Sequence, residues 1–93
     1  MTFDESFISQ AADRLVEIHA RPFGGKAKGR YRIAEKLLRN LCGKRRLYED
    51  DVRALTRAML ERGYVLIDMD GFFVVTAASS FTNYRRANED CLT

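Results

Sequence analysis

The hydrophobic period of this chain changes within residues 55–76, which read LTRAMLERGYVLIDMDGFFVVT. Up to Arg62 the apolar residues recur at helical spacing, and beyond Gly63 they form two runs rich in β-branched and aromatic side chains. The two runs flank Asp70-Gly71, a dipeptide that suits a type I′ turn of two residues. The pattern predicts a helix that ends at a glycine and leads directly into a β-hairpin.

A two-residue turn also predicts the register of this hairpin. It sets three opposing pairs, which are Met69 with Phe72, Ile67 with Val74, and Leu66 with Val75. Both faces of the hairpin then carry apolar side chains, so a hairpin with one wet face is not expected. The second face needs a cover, which is either a helix at about 77–87 or a second copy of the chain. Residues 88–93 are predicted to form a frayed tail.

Three helices are predicted before the hairpin, at about 3–19, 30–42 and 48–62. Pro22 and three glycines end the first helix in a loop. The second helix has an apolar stripe of five side chains, Ile33, Ala34, Leu37, Leu38 and Leu41. The third helix has a shorter buried stripe, Val52, Leu55 and Met59. The prediction is therefore a mostly helical α+β domain over 1–93, with three helices, a two-stranded β-hairpin and a short C-terminal helix.

This order of elements, over about residues 3–76, resembles a winged-helix DNA-binding domain. The most specific part of the resemblance is the join in LTRAMLERGYVLIDMDGFFVVT, where the third helix passes straight into the hairpin. The resemblance implies that the N-terminal residues of the third helix enter the major groove and that the hairpin turn contacts the backbone. Here those positions are acidic, in Glu49-Asp50-Asp51 and in Asp68 and Asp70, so they would repel phosphates. Only Arg53 and Arg57 remain on that helix as basic side chains that could contact DNA bases.

The positive charge of the chain is concentrated in residues 21–46. This segment holds one acid, Glu35, and ten basic side chains, Arg21, Lys26, Lys28, Arg30, Arg32, Lys36, Arg39, Lys44, Arg45 and Arg46. The rest of the chain holds six basic and twelve acidic side chains, so the net charge of +3 conceals a strong asymmetry. A block of this kind is typical of a phosphate-binding surface.

We therefore predict that these ten residues form one nucleic-acid-binding surface. Three glycines, at 24, 25 and 29, would let a backbone approach closely, and Tyr31 or Phe23 could stack on a base or sugar. Arg85 and Arg86 are candidates to extend the surface. The glycine loop does not match a P-loop, because Ala27 follows Lys26 and no strand is predicted before it.

Other site chemistries lack the residues that they need. The chain has one histidine, His19, and two cysteines, Cys42 and Cys91, so a cysteine-based zinc site is not expected. The acidic group Glu49-Asp50-Asp51 is typical of a helix N-terminus, with a metal site or a docking surface as the less favoured interpretation. No nucleophile is paired with a base, so we predict no enzyme, no cofactor and no metal. The acidic N-terminus does not resemble a signal peptide, which predicts a cytoplasmic protein with free thiols, Cys42 as a core residue and no membrane contact.

Two functions fit these patterns. The first is a small DNA-binding regulator, for example of transcription, which contacts phosphates through the basic loop and second helix and dimerises through the hairpin or the C-terminal helix. DNA is favoured over RNA as the partner. The alternative is a protein-binding module, an adaptor or a small inhibitor of a larger nucleic-acid enzyme. It is motivated by the acidic third helix and hairpin turn and by the two apolar faces of the hairpin, and its basic block would meet an acidic protein surface.

Overall fold

The computed structural model describes residues 5–93, with side chains from residue 7 onward. Its helices and strands, in chain order, are α1 (Glu5–His19), β1 (Tyr31–Ala34), α2 (Glu35–Cys42), α3 (Glu49–Glu61), β2 (Tyr64–Asp68) and β3 (Phe72–Ala77). Two short 3-10 helices follow, at Ala78–Phe81 and Glu89–Leu92. The first two residues of the first predicted helix, at 3 and 4, lie outside the described part of the chain. The fold is α+β, as expected.

The β2–β3 hairpin has the register predicted from the sequence. Leu66 pairs with Val75 and Ile67 with Val74, and the Met69 amide donates to the Phe72 carbonyl at 2.9 Å. The φ angles of Asp70 and Gly71 are +58° and +125°, so both turn residues have the positive φ of a type I′ turn. The prediction of a hairpin closed by Asp70-Gly71 is confirmed.

A third strand corrects the prediction of a helix over 30–42 and of a two-stranded sheet. Residues Tyr31–Ala34 pair antiparallel with β3, and the strands lie in the order β1-β3-β2. Tyr31 and Ile33 are buried while Arg32 and Ala34 are exposed, which is the alternation of a half-buried strand. Pairing with β1 satisfies the second edge of β3, whereas a helix at 31–34 would leave that edge open.

Helix α2 is accordingly shorter than predicted. It begins at Glu35, whose amide donates to the carbonyl of Gly71 in the hairpin turn at 3.2 Å. Leu38 and Cys42 are buried, but Leu37 is 57% exposed, so the predicted apolar stripe is buried only in part. A helix of eight residues presents only a narrow stripe to the core, and Leu37 lies outside it.

The core lies between the helices and one face of the sheet. We call this the inner face, and its buried side chains are Tyr31, Ile33, Leu66, Phe73 and Val75. They pack with buried residues of all three helices, namely Ile8, Ala11, Ala12, Leu15, Leu38, Cys42, Leu55, Ala58 and Met59. Cys42 and Cys91 are free thiols, and burial of Cys42 confirms its predicted core position. No helix within residues 5–93 has the length and apolar character needed to cross a membrane.

The C-terminal segment does not form the helix predicted at 77–87. Strand β3 continues to Ala77, which pairs with Tyr64, and only the 3-10 helix Ala78–Phe81 follows it directly. The segment beyond Ala78 is rich in serine, threonine and asparagine, whose side chains compete for backbone hydrogen bonds and disfavour a helix. The last residues include a further 3-10 helix in place of a frayed tail.

The outer face of the sheet is therefore only partly covered. Thr76 is buried, and its hydroxyl donates to the Ser80 hydroxyl at 3.3 Å across the first 3-10 helix. The remaining apolar side chains of this face, Val65, Ile67, Phe72 and Val74, are half-buried. Met69, beside the turn, is 48% exposed.

Candidate nucleic-acid interface

The glycine-rich loop between α1 and β1 contains a tight chain reversal. Phe23 and Lys26 exchange two backbone hydrogen bonds, of 2.9 and 3.0 Å, across Gly24 and Gly25. The φ angles of these glycines are +58° and +82°, in the left-handed region where a Cβ atom is disfavoured. The loop sequence therefore specifies a small hairpin-like turn that holds Phe23 beside Lys26.

Both ends of the loop are tied to the end of α1. The Arg21 amide donates to the Ile18 carbonyl at 3.0 Å, and the Gly29 amide donates to the His19 carbonyl at 2.9 Å. The His19 ring in turn packs edge-on against Tyr64, with ring centroids 5.0 Å apart. This contact gives His19 a packing role at the end of α1, and the bonds to Ile18 and His19 present the loop in a defined orientation.

The loop and β1 together enclose a concavity of about 520 Å³, which we call the basic cleft. Five of the ten predicted basic residues line it, namely Arg21, Lys26, Lys28, Arg30 and Arg32. No acidic side chain is among its lining residues. Converging cations with no carboxylate in the lining create a positive potential that attracts phosphate groups.

Most of the charge in the basic cleft is not neutralised by side chains that the structure describes. Arg21 lies 3.8 Å from Glu17, and both side chains are more than half exposed, so water and salt screen this pair. The other four cations make no ion pair with any side chain that the structure describes. The Arg32 guanidinium lies 5.6 Å from the centre of the Phe72 ring, a contact that orients it without removing its charge.

Tyr31 does not have the stacking position that the sequence suggested. Its side chain is 8% exposed, and its hydroxyl donates to the Leu15 carbonyl at 2.6 Å. Burial raises the pKa of the Tyr31 hydroxyl well above its usual value. Phe23 is 47% exposed, and its ring meets the Tyr31 ring edge-on with centroids 5.7 Å apart. Phe23 is thus the accessible aromatic ring of the cleft, and the buried Tyr31 packs against it.

The other five predicted basic residues lie outside the cleft and do not all face solvent freely. Arg39 is half-buried and donates from Nη1 to the Arg45 carbonyl at 2.9 Å, which holds the turn after α2. The Lys44 ammonium lies 4.4 Å from the centre of the Phe7 ring. Lys36, Arg45 and Arg46 are exposed. Arg39 therefore has a structural hydrogen bond and the exposed Lys44 has an aromatic neighbour, and charge counting alone could not reveal either contact.

Arg85 and Arg86 lie apart from the basic cleft. They are exposed and line a different concavity, formed with Tyr84 and Cys91 in the C-terminal segment. This concavity shares no lining residue with the basic cleft. The sequence-based suggestion that Arg85 and Arg86 extend the same patch receives no support from their placement.

A second charged concavity lies between α3 and the hairpin turn. It encloses about 410 Å³, and four of its lining residues are acidic, namely Glu35, Glu49, Asp68 and Asp70. Arg53 also lines it, but its guanidinium is 3.6 Å from the Asp50 carboxylate. We call this the acidic concavity. It joins the two places at which a winged-helix protein would contact DNA. It also includes Glu35, which was not expected there from the sequence.

The acidic side chains do not form a metal site. No group of three or more histidine, cysteine, aspartate or glutamate side chains within residues 5–93 is arranged to hold a metal ion. Their grouping follows from local causes, since Glu49 lies in the first turn of α3 and Asp68 accepts a bond of 2.9 Å from the Asp70 amide. The acidic concavity is a negatively charged surface that would repel phosphate.

Comparisons with protein-family models, with curated proteins and with solved structures find no match to this chain.

Proposed function

We propose that this chain is a nucleic-acid-binding protein with a winged-helix-like frame, and that it contacts phosphates through the basic cleft. The observation that carries the proposal is the convergence of five cationic side chains, without an acid, on one concavity. Lysine and arginine side chains on phosphates release condensed counterions, which supplies affinity with little sequence information. The proposal for the frame is supported by the direct join between α3 and β2 at Gly63.

The charge distribution favours docking through the cleft instead of through α3. A nucleic acid placed against the N-terminus of α3 and the hairpin turn would meet the four carboxylates of the acidic concavity. The positive end of the helix dipole, at about half a charge, is too small to offset them. Approach from the basic cleft avoids this repulsion, so the polyanion would bind through the α1–β1 loop and strand β1.

A salt-dependent titration tests the proposal. Fluorescence anisotropy with a labelled duplex DNA should give a log–log dependence of affinity on salt with a slope of about −4 to −5 if all five cations meet phosphates. Lys26→Glu/Lys28→Glu should weaken binding at least about tenfold at low salt and reduce the slope by about 2. Absence of binding by the wild-type chain at low salt, to duplex and single-stranded nucleic acid alike, would refute the proposal.

A matched control separates the two docking modes. Arg53→Glu/Arg57→Glu changes the net charge by the same amount on exposed positions of α3. If nucleic acid binds through the cleft, this control should lose far less affinity than Lys26→Glu/Lys28→Glu. The reverse order would place the nucleic acid on α3 in spite of its carboxylates.

A second candidate function is recognition of a basic protein segment by the acidic concavity. The observation that favours it is the gathering of carboxylates from α2, α3 and the hairpin around one space. A basic segment would complement this charge, and Leu47, Val52 and Phe73 in the lining offer apolar contact. Capture of a partner from a nuclease-treated native lysate, abolished by Glu49→Lys/Asp68→Lys and retained by Lys26→Glu/Lys28→Glu, would favour this function.

A further inference from the structure

We infer that the basic cleft takes a single-stranded segment of nucleic acid and that Phe23 stacks on one of its bases. The inference rests on the proposed function and names the form of nucleic acid that the same site prefers. It depends on the placement of one aromatic ring among cations, which a surface that binds phosphates alone does not require.

Phe23 lies in an unusual position for its side chain. Among the phenylalanines with described side chains it alone is exposed, at 47%. Lys26, Lys28 and Arg30 line the same cleft, and Phe23 is not among the residues of the core cluster. Leaving a phenylalanine in water forgoes the gain from burying it, and the edge-on contact with Tyr31 recovers only part of that gain.

The ring is also held in place before any ligand arrives. The paired backbone hydrogen bonds between Phe23 and Lys26 fix the turn, and Tyr31, anchored to Leu15 by its hydroxyl, supports the ring. A ring that is already positioned loses little conformational entropy on binding. The cleft thus combines a preformed stacking platform with cations that can follow the phosphates of the same strand.

These two features together favour a single strand over a duplex. In a duplex each base already stacks on its neighbours, so a protein ring can reach a base face only at an end or after the base has been unstacked. A single strand offers base faces without that cost, and stacking on aromatic side chains tolerates any base. The volume of the cleft, about 520 Å³, is within the usual range for small-molecule sites, about 300–1,000 Å³. A nucleotide-sized part of one strand can therefore enter it, while a duplex would rest on its rim.

The experiment compares one oligonucleotide sequence as single-stranded DNA, as single-stranded RNA and as duplex DNA, by anisotropy at fixed salt. The wild-type chain should bind the single strands at least about tenfold more tightly than the duplex. Phe23→Leu should weaken single-strand binding by about 5- to 100-fold, change duplex binding by less than about twofold, and leave the salt slope unchanged. Phe23→Tyr should retain the preference, and the two single strands show whether the sugar matters.

A second readout reports stacking directly. The chain has no tryptophan, so Phe23→Trp introduces a single tryptophan at the site, which can be excited selectively over the four tyrosines. Its emission should be quenched by the single strands and much less by the duplex, because quenching requires contact between the indole and a base.

The outcomes separate this inference from the proposed function. Binding that falls with salt but is equal for single strand and duplex, or unaffected by Phe23→Leu, would overturn the single-strand inference alone. Anisotropy changes without quenching in Phe23→Trp would do the same. Absence of binding to all three nucleic acids would overturn both proposals together. Circular dichroism of each variant checks that the fold is intact, and quenching in Phe23→Trp keeps the test valid if Phe23→Leu unfolds.

Discussion

The hydroxyl of Tyr31 lies in the core and donates to the Leu15 carbonyl at 2.6 Å, so this residue joins β1 to α1. Because burial raises its pKa above the value of about 10 in an unfolded chain, the native state keeps a proton that the unfolded state releases. Its contribution to stability is complete below about pH 10 and decreases as the pH rises above that value. A stacking residue, by contrast, would need to be accessible to its ligand.

Substitution Tyr31→Phe should lower the free energy of unfolding by about 1 kcal/mol near neutral pH, because the Leu15 carbonyl loses a donor. Urea unfolding at about pH 7 and about pH 10.5 should show a smaller alkaline loss in Tyr31→Phe than in the wild-type chain. Tyr84→Phe, at a side chain that is 67% exposed, provides the control and should change neither value. Identical alkaline losses in wild type and Tyr31→Phe would contradict this account.

The two cysteines should differ in reactivity. Burial raises the pKa of the Cys42 thiol, the nearby Asp51 carboxylate raises it further, and Lys44 lowers it by a smaller amount. Cys91 is exposed. With a thiol reagent such as Ellman's, Cys91 should react rapidly. Cys42 should react only when the chain opens, at least about tenfold more slowly. Cys91→Ser should remove the rapid phase, and a rapid phase that persists in this variant would show that Cys42 is accessible.

At the scale of elements, the packing of α1 on α3 depends on Arg62 as well as on apolar contacts. The Arg62 guanidinium donates from Nε to Asp13 at 2.9 Å and from Nη2 to the Ser9 hydroxyl at 3.0 Å, both on α1. Its Nη1 donates to the Ala58 carbonyl at 2.9 Å, within α3. The side chain is only 27% exposed, so these bonds are less screened than those of a free surface pair.

Substitution Arg62→Met retains much of the apolar volume and removes these hydrogen bonds. We expect it to lower the free energy of unfolding by about 1–2 kcal/mol, measured by urea denaturation. Arg57→Met, at an exposed position of α3, is the matched control and should change the free energy of unfolding by less than about 0.5 kcal/mol. Equal midpoints for the two variants would mean that the Arg62 bonds contribute nothing net to the α1–α3 contact.

Elements that depend on local sequence were the ones predicted well. Helix α3 and the hairpin agree with the sequence because the acidic first turn, the apolar spacing and the Asp70-Gly71 turn lie within a few residues of one another. Strand β1 was missed because the apolar residues of 31–42 fit a helical stripe as well as a strand followed by a helix. The alternation in YRIA was the available signal, but only its partner β3 distinguishes the two readings.

At the scale of the whole molecule, charge is separated between two surfaces. The basic cleft involves the α1–β1 loop, and the acidic concavity involves α3 and the hairpin turn. The small net charge of +3 therefore says little about the field that a ligand meets. A polyanion would approach with a preferred orientation, which steers it toward the cleft.

This orientation predicts which backbone amides sense the ligand. In an NMR titration with a short single-stranded DNA, the largest shifts should fall in residues 21–32, with small changes at 48–53 and 68–71. The proposed charge separation is the reason, since the second and third segments border the acidic concavity. Larger shifts at α3 and the hairpin turn than in the loop would contradict docking through the cleft.

The basic character of the candidate site could be inferred from the sequence, but which basic residues line the cleft could not. The concentration of cations in residues 21–46 is visible in the sequence, and five of them meet in the basic cleft. Two of the others have contacts within the protein, since Arg39 donates to the Arg45 carbonyl and Lys44 lies over the Phe7 ring. Both contacts depend on the path of the chain after α2. The sequence does not distinguish a charged side chain that faces solvent from one that bonds a neighbouring backbone carbonyl.

Short-range patterns were sufficient for the hairpin, its register, α3 and the basic character of residues 21–46, because a turn, a helix start and a charge run are each set by adjacent residues. Contacts between distant segments were needed for the third strand, for the burial of Tyr31, and for the meeting of Glu35 with Asp68 and Asp70. All three features depend on the edge of β3, with which residues 31–34 pair. This pairing places the start of α2 at the hairpin turn. Pairing between residues 31–34 and 72–75, which are far apart in the chain, depends on tertiary packing, so a short stretch of sequence does not predict it.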